Sequence, residues 1–162
     1  MAAIDLWEQL FPLCGHPLVI AGQSSRKVFL DELSDRIQGS LHAEHLTLIG
    51  GERHVPYEEM VQLIRHSKAG IGLYQPLPHL IGKLPTKFYE HLALGVPLIY
   101  PDLGEWARFG QRHPLGIGIT EGDQPEKILA RLAEFQAAEE REEYVWRDEM
   151  VKKGLEKMER LP

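Results

Sequence analysis

Residues 82–101 read Gly-Lys-Leu-Pro-Thr-Lys-Phe-Tyr-Glu-His-Leu-Ala-Leu-Gly-Val-Pro-Leu-Ile-Tyr-Pro, and their order predicts a loop, a short helix, a glycine stop and a buried strand. Pro85 suits the first helical position, since it lacks an amide hydrogen and its φ is already helical. Phe88, Leu92 and Ala93 fall at helical spacing and form one apolar face. Gly95 stands where a left-handed helix stop belongs. Val96 to Ile99 is an apolar run of strand type that opens with Pro97. The helix start leaves the amides of Thr86, Lys87 and Phe88 without intrahelical partners, and such a start attracts phosphates. Lys87 adds a full positive charge, and Glu90, one turn on, has the oxygens to accept hydrogen bonds from sugar hydroxyls.

The same grammar extends in both directions. Upstream, short apolar runs at Leu18–Ala21, Leu46–Ile49 and Ala69–Tyr74 read as strands, the last with Gly70 and Gly72 permitting close approach. Helical spacing predicts helices over 3–14 (Leu6, Trp7, Leu10, Leu13), 25–38 (capped by Ser24 or Ser25; Val28, Phe29, Leu33, Ile37) and 56–66 (Met60, Val61, Ile64). Downstream come a helix over 103–112 with Trp106 and Phe109, a fifth strand over 115–120, and a helix over 125–138 with Ile128, Leu129, Leu132 and Phe135 inward. The charged run 139–143 marks a break or a solvated face, and a last helix follows over about 144–160. Five strands, each followed by a helix, imply an α/β fold with a parallel sheet and helices on both faces. Ligands in such sheets bind beyond the carboxyl ends of the strands.

Composition bounds the function. The chain has 162 residues, enough for one domain with a sizeable core, and 43% of them are hydrophobic. The net charge of −6 argues against a non-specific nucleic-acid binder. One cysteine, Cys14, permits no intrachain disulfide and fits a reducing, cytoplasmic compartment. No apolar run approaches the ~20 residues of a membrane span, and the stretch Met1–Trp7 lacks the basic-then-apolar pattern expected of a signal peptide. His42 and His45 with Glu44 lack a further nearby ligand, so no metal site is expected. No nucleophile–base arrangement stands out, so no catalytic residue is assigned. The Gly-Ile-Gly pairs at 70–72 and 116–118 lie within strands, and the dinucleotide fingerprint is not met.

The run from Pro85 to Ile99 resembles the signature of the C-terminal domain of family 4 (group 1) glycosyltransferases. Leu18–Gly22, Leu46–Gly50 with Val55–Met60, and Ala69–Tyr74 resemble that domain's second, third and fourth strands in the same order. The resemblance implies a Rossmann-like domain over 1–162, the donor-binding half of a GT-B fold with its first strand missing. Its partner would be a nucleoside diphosphate sugar, without a cofactor. Thr86, Lys87 and Gly82 would meet the donor phosphates and sugar, Glu90 the ribose, and Gly50, Gly51 and Val55 would frame the base. For these last three, a tight turn before a helix is the competing reading. His79 would face the sugar or simply be exposed.

Two departures bear on activity. The family's basic loop, with an arginine and a lysine on the diphosphate, has no counterpart here, and neither does the acceptor domain. Gly82 also stands eight positions before Glu90, where many relatives carry a second glutamate. Each lost preorganised donor removes about 3 kcal/mol of transition-state stabilisation. The isolated chain is therefore expected to show little transferase activity. In a full bacterial-type enzyme, peripheral to a membrane, the sugar would pass to a glycan or lipid acceptor. The last helix, with Trp146, would pack on an acceptor domain or partner chain, dimerise, or fold back. The alternative is a non-catalytic binding or assembly module that keeps the fold.

Overall fold

The computed structural model describes residues 2–74, 83–112 and 116–140, the last five as backbone only. The loop 75–82 with His79 and Gly82, Leu115, and the helix expected over 144–160 lie outside the described residues. The elements are α1 (Ala2–Cys14), β1 (Leu18–Gln23), α2 (Lys27–Gln38), a 3-10 turn (Ala43–His45), β2 (Leu46–Gly51), α3 (Tyr57–Arg65), β3 (Gly70–Ile71), α4 (Thr86–Leu94), β4 (Leu98–Pro101), α5 (Gly104–Arg112), β5 (Gly116–Ile119) and α6 (Pro125–Glu140). Strands alternate with helices, and every described strand pair is parallel. The chain divides into two compact units, Met1–Gln62 and Leu63–Pro162.

In the first unit, β1 pairs with β2 in a register from Leu18↔Leu46 to Gln23↔Gly51. On α1, Ile4, Leu6, Trp7 and Leu10 are buried, whereas Leu13, expected inward, is half exposed. Pro12 lies inside this helix, and Gly15 closes it with φ 66°. The Trp7 indole donates to the His16 carbonyl at 2.9 Å. A polar clasp ties α1 to α2: Arg36 donates to Asp5 at 2.7 Å and to Glu8 at 2.6 Å, and Ser40 donates to Glu8 at 2.5 Å. These donors, Arg36 first and then Ser40, hold the Glu8 carboxyl down at about 2. His42 and His45 each pack on the Phe11 ring, with centroids 4.6 Å apart.

Two expectations for α2 need correction. The helix starts at Lys27 behind Arg26, which offers no side-chain cap, because the Ser24 hydroxyl instead accepts from the Arg26 amide within the preceding turn. Only Leu33 of its apolar set is buried; Val28 and Phe29 are exposed.

In the second unit β4 lies between β3 and β5. The third strand is shorter than its apolar run implied, because regular pairing covers only Gly70↔Leu98 and Ile71↔Ile99. Beyond it, the Gly72 amide still donates to Ile99, and the Tyr74 amide turns back onto the Gly72 carbonyl. The core is a cluster of Phe88, Leu98, Tyr100, Trp106 and Phe109, with Tyr74, Leu84 and Leu92 packed against it. Phe88 sits 4.9 Å from Tyr100 and 5.3 Å from Phe109, ring to ring. Ile128, Leu132 and Phe135 bury one face of α6, as their spacing predicts. The helix runs on to Glu140, past its expected end at about 138 and into the charged run read as a break or a solvated face.

Tyr100 is 1% exposed and needs two glycines to fit. A Cβ on Gly110 would collide with its hydroxyl. One on Gly116 would lie 2.6 Å from the hydroxyl and 2.7 Å from Cε1. We expect Gly110→Ala and Gly116→Ala each to cost about 1–3 kcal/mol through overpacking. Tyr100→Phe should rescue Gly110→Ala, whose nearest remaining neighbour is then a ring carbon at 3.0 Å. It should not rescue Gly116→Ala, where Cε1 stays in the way. Denaturant unfolding of the single and paired variants checks this; rescue of both or of neither contradicts it.

Candidate functional site

The site is built on the start of α4. Pro85 is the N-cap rather than the first helical residue: its φ of −58° is helical but its ψ of 146° is extended. The helix therefore opens at Thr86, and no side chain caps it. The Phe88 amide, expected to be free, donates to the Pro85 carbonyl at 3.0 Å. The amides of Thr86 and Lys87 have no hydrogen-bond acceptor among the described residues, so the anion-attracting set is two amides, not three. At the other end Gly95 adopts φ 65° and its amide reaches the Leu92 carbonyl, which is the expected left-handed stop.

Lys87 and Glu90 are brought together. Lys87 Nζ donates to Glu90 Oε2 at 3.2 Å, on side chains that are 41% and 26% exposed. Their spacing of three places both on one helix face. The two residues read separately as a phosphate contact and a ribose contact thus hold each other. An ion pair so open to water contributes about 0–1 kcal/mol, so a stronger partner displaces it at little cost.

Three neighbours of this start carry no sequence signal as site residues. Trp106, from α5, donates its indole N–H to the Lys83 carbonyl at 2.8 Å, three residues ahead of α4. Tyr74, beyond β3, meets Trp106 edge-on at 5.9 Å. Its hydroxyl is pushed up by burial and, to a lesser degree, by the Glu90 charge. His91, next to Glu90, is buried and 6% exposed, and its Nδ1 has no hydrogen-bond partner. The imidazole fills the space above Gly70, where a Cβ would lie 2.5 Å from Nε2. The space at Gly70 and Gly72, expected to admit backbone or a ligand, is taken by side chains instead, His91 over the first and Tyr74 against the second.

Gly50, Gly51 and Val55 belong to the first unit and form a tight turn there. Gly50 and Gly51 have φ of 98° and 69°. A Cβ on Gly50 would strike the Gly22 carbonyl and lie 2.5 Å from Val55 Cγ2. The Gly51 carbonyl accepts from the Ser24 amide at 2.9 Å, and the Glu52 carbonyl from the Gln23 side chain at 3.0 Å. Val55 is buried. These contacts close the carboxyl ends of β1 and β2 together. Among the described residues no group of three or more His, Cys, Asp or Glu could hold a metal ion, and no helix is long and apolar enough to cross a membrane.

The family model described as "Glycosyl transferase-like" matches residues 23–160. No curated protein matches the chain. Among solved structures, AviGT4, a glycosyltransferase involved in avilamycin A biosynthesis, matches with a TM-score of 0.54 at 21% identity. The match covers 79% of this chain and 37% of that one. It shows the fold, an α/β arrangement of parallel strands flanked by helices, of the GT-B type.

The buried imidazole makes a pH signature. Burial lowers the His91 pKa from 6.5 to about 4; the nearby Val96 backbone opposes the shift, Lys87 adds to it, and Glu90 opposes it. Below pH 6.5 the unfolded chain binds a proton that the folded chain refuses until about pH 4. This stability is therefore complete above pH 6.5 and lost as the pH falls to about 4, about 3 kcal/mol in all. Glu8, held at about 2, acts below that window. Unfolding free energies measured from pH 7 to 4 should fall less steeply for His91→Leu than for the wild type; equal slopes contradict a buried neutral imidazole.

Proposed function

The chain belongs to the glycosyl transferase-like family, and we propose that it is the donor-binding part of a family 4 enzyme. In this reading it holds a nucleoside diphosphate sugar at the start of α4. The amides of Thr86 and Lys87 receive the diphosphate, Lys87 Nζ adds its charge, and Glu90 accepts hydrogen bonds from the ribose hydroxyls. The observation that carries the proposal is an uncapped helix start with a lysine and a glutamate side by side on a partly open face. Gly82 lies outside the described residues, and Gly50, Gly51 and Val55 lie in the other unit. Their proposed contacts to the donor sugar and the base rest on the sequence resemblance.

Magnitudes favour a ligand over the internal pair. A hydrogen bond to a charged group contributes about 1.5–3 kcal/mol. The open Lys87–Glu90 pair contributes at most about 1 kcal/mol. Lys87 has N–H donors beyond the one on Glu90, so it can take a diphosphate while the weakly held Glu90 carboxylate accepts from the adjoining ribose. Transfer would break the bond between the anomeric carbon and the diphosphate oxygen, with the electron pair leaving on that oxygen, while an acceptor hydroxyl oxygen bonds to the anomeric carbon and passes its proton to the departing diphosphate. Helix amides and a lysine aimed there stabilise the developing charge. The chain spans 37% of the length of AviGT4. Sugar transfer to a glycan or lipid acceptor is accordingly proposed for a whole enzyme, with an acceptor domain or partner chain.

Calorimetric titration of the chain with UDP, GDP and ADP tests the reading. We expect one of them to bind, and Glu90→Ala and Lys87→Ala each to weaken it about five- to tenfold, which corresponds to 1–1.4 kcal/mol. Lys87→Ala should also flatten the dependence of binding on salt. A chain that binds none of the three would instead be a non-catalytic module that retained the fold.

A further inference from the structure

The donor amides act only if the helix begins at the right residue and points the right way. Residues 83–85 have no regular structure, and Lys83 is exposed. Leu84 packs against the core cluster and the Pro85 carbonyl accepts from the Phe88 amide, while the Trp106–Lys83 hydrogen bond ties the first residue of this segment to α5. It spans 23 positions of sequence. The indole itself is held firmly. Trp106 is 5% exposed, its amide donates to the Leu103 carbonyl at 2.9 Å, and its ring lies 6.0 Å from Phe88 and 5.9 Å from Tyr74. Phe88 is the third residue of α4. One side chain therefore grips the chain on both sides of the helix start, by its N–H at Lys83 and by its ring at Phe88.

We propose that Trp106 is a positioning residue for the diphosphate end of the donor site: by holding the Lys83 carbonyl it sets where α4 begins and aims the Thr86 and Lys87 amides. The proposal rests on the donor reading above and adds the residue that preorganises it. The bond is partly buried, so its loss costs the modest net stability of one hydrogen bond, which a folded chain can bear. What is lost is the fixed direction of two donors. Loosely held donors must be ordered when the ligand arrives, and that ordering subtracts from affinity.

Two variants of the full chain separate the roles. Trp106→Phe removes the N–H and keeps an aromatic ring. An ester in place of the amide between Lys83 and Leu84 weakens the carbonyl as an acceptor and leaves the indole untouched. Two readouts are taken on each. Hydrogen exchange of the Phe88 amide, without nucleotide, reports the first turn through its bond to Pro85. Titration with inorganic pyrophosphate and, separately, with the nucleoside of the preferred nucleotide reports the two halves of the ligand. We expect faster Phe88 exchange and about fivefold weaker pyrophosphate binding in both variants, with nucleoside binding unchanged. Unchanged exchange and pyrophosphate affinity in the folded variants overturns the proposal and leaves the donor reading standing. Equal losses for pyrophosphate and nucleoside also overturn it, since general loosening affects both. A wild-type chain that binds no diphosphate overturns the donor reading, and this proposal falls with it.

Discussion

The packing of Phe88 is the constraint on which the second unit depends. Its ring is 1% exposed and contacts Tyr100 on β4 and Trp106 and Phe109 on α5. Full burial of such a side chain contributes about 1.5–3 kcal/mol, and each well-placed aromatic pair about 0.5–1.5 kcal/mol more. This also fixes the rotation of α4 about its axis. With Phe88 and His91 turned inward at a spacing of three, Lys87 and Glu90 share the adjacent, partly open face, and Thr86 is exposed at the helix end. The same buried ring that stabilises the helix thus decides which polar groups it offers to a ligand.

Small residues let these large ones in. Gly70 makes room for the His91 imidazole, Gly72 for the Tyr74 ring, and Gly110 and Gly116 for the Tyr100 hydroxyl end. At Gly70, Gly110 and Gly116 a Cβ would meet a side chain that burial prevents from moving aside; at Gly72 the partly buried Tyr74 ring leaves a tight 3.2 Å contact. In the first unit the equivalent closeness is between backbones, with Gly50 against the Gly22 carbonyl where β1 and β2 end. Gly50, near the end of β2, and Gly72, just past β3, stand at carboxyl ends of strands, where α/β folds place their ligands, whereas Gly70 and Gly116 open their strands and Gly110 lies in α5.

Much of this was legible in the chain itself. Pro85 and Gly95 bracketed α4 correctly because their backbone preferences are local and strong, even though Pro85 proved to be the cap and not the first helical residue. Trp106, Phe109, Ile128, Leu132 and Phe135 were readable as core from spacing alone. Other features were not. Val28 and Phe29 have an apolar pattern but remain exposed, since periodicity does not reveal whether anything covers a face. His91 carries no apolar signal, and only the glycine opposite explains its burial. The pairing of Lys87 with Glu90 follows from their spacing, yet each was assigned to a ligand, and the free chain satisfies them with each other. The indole–carbonyl bond joins residues 23 positions apart and leaves no local trace.

A diphosphate seated on the amides of Thr86 and Lys87 would change their surroundings more than those of any other residue. Amide proton and nitrogen shifts of the isotope-labelled chain, followed by NMR as the preferred nucleoside diphosphate is added, report this residue by residue. We expect the largest changes at Thr86 and Lys87, with Glu90 next and the far end of α4 near Leu94 little affected. Saturable binding that moves resonances elsewhere while leaving Thr86 and Lys87 in place would contradict that seating.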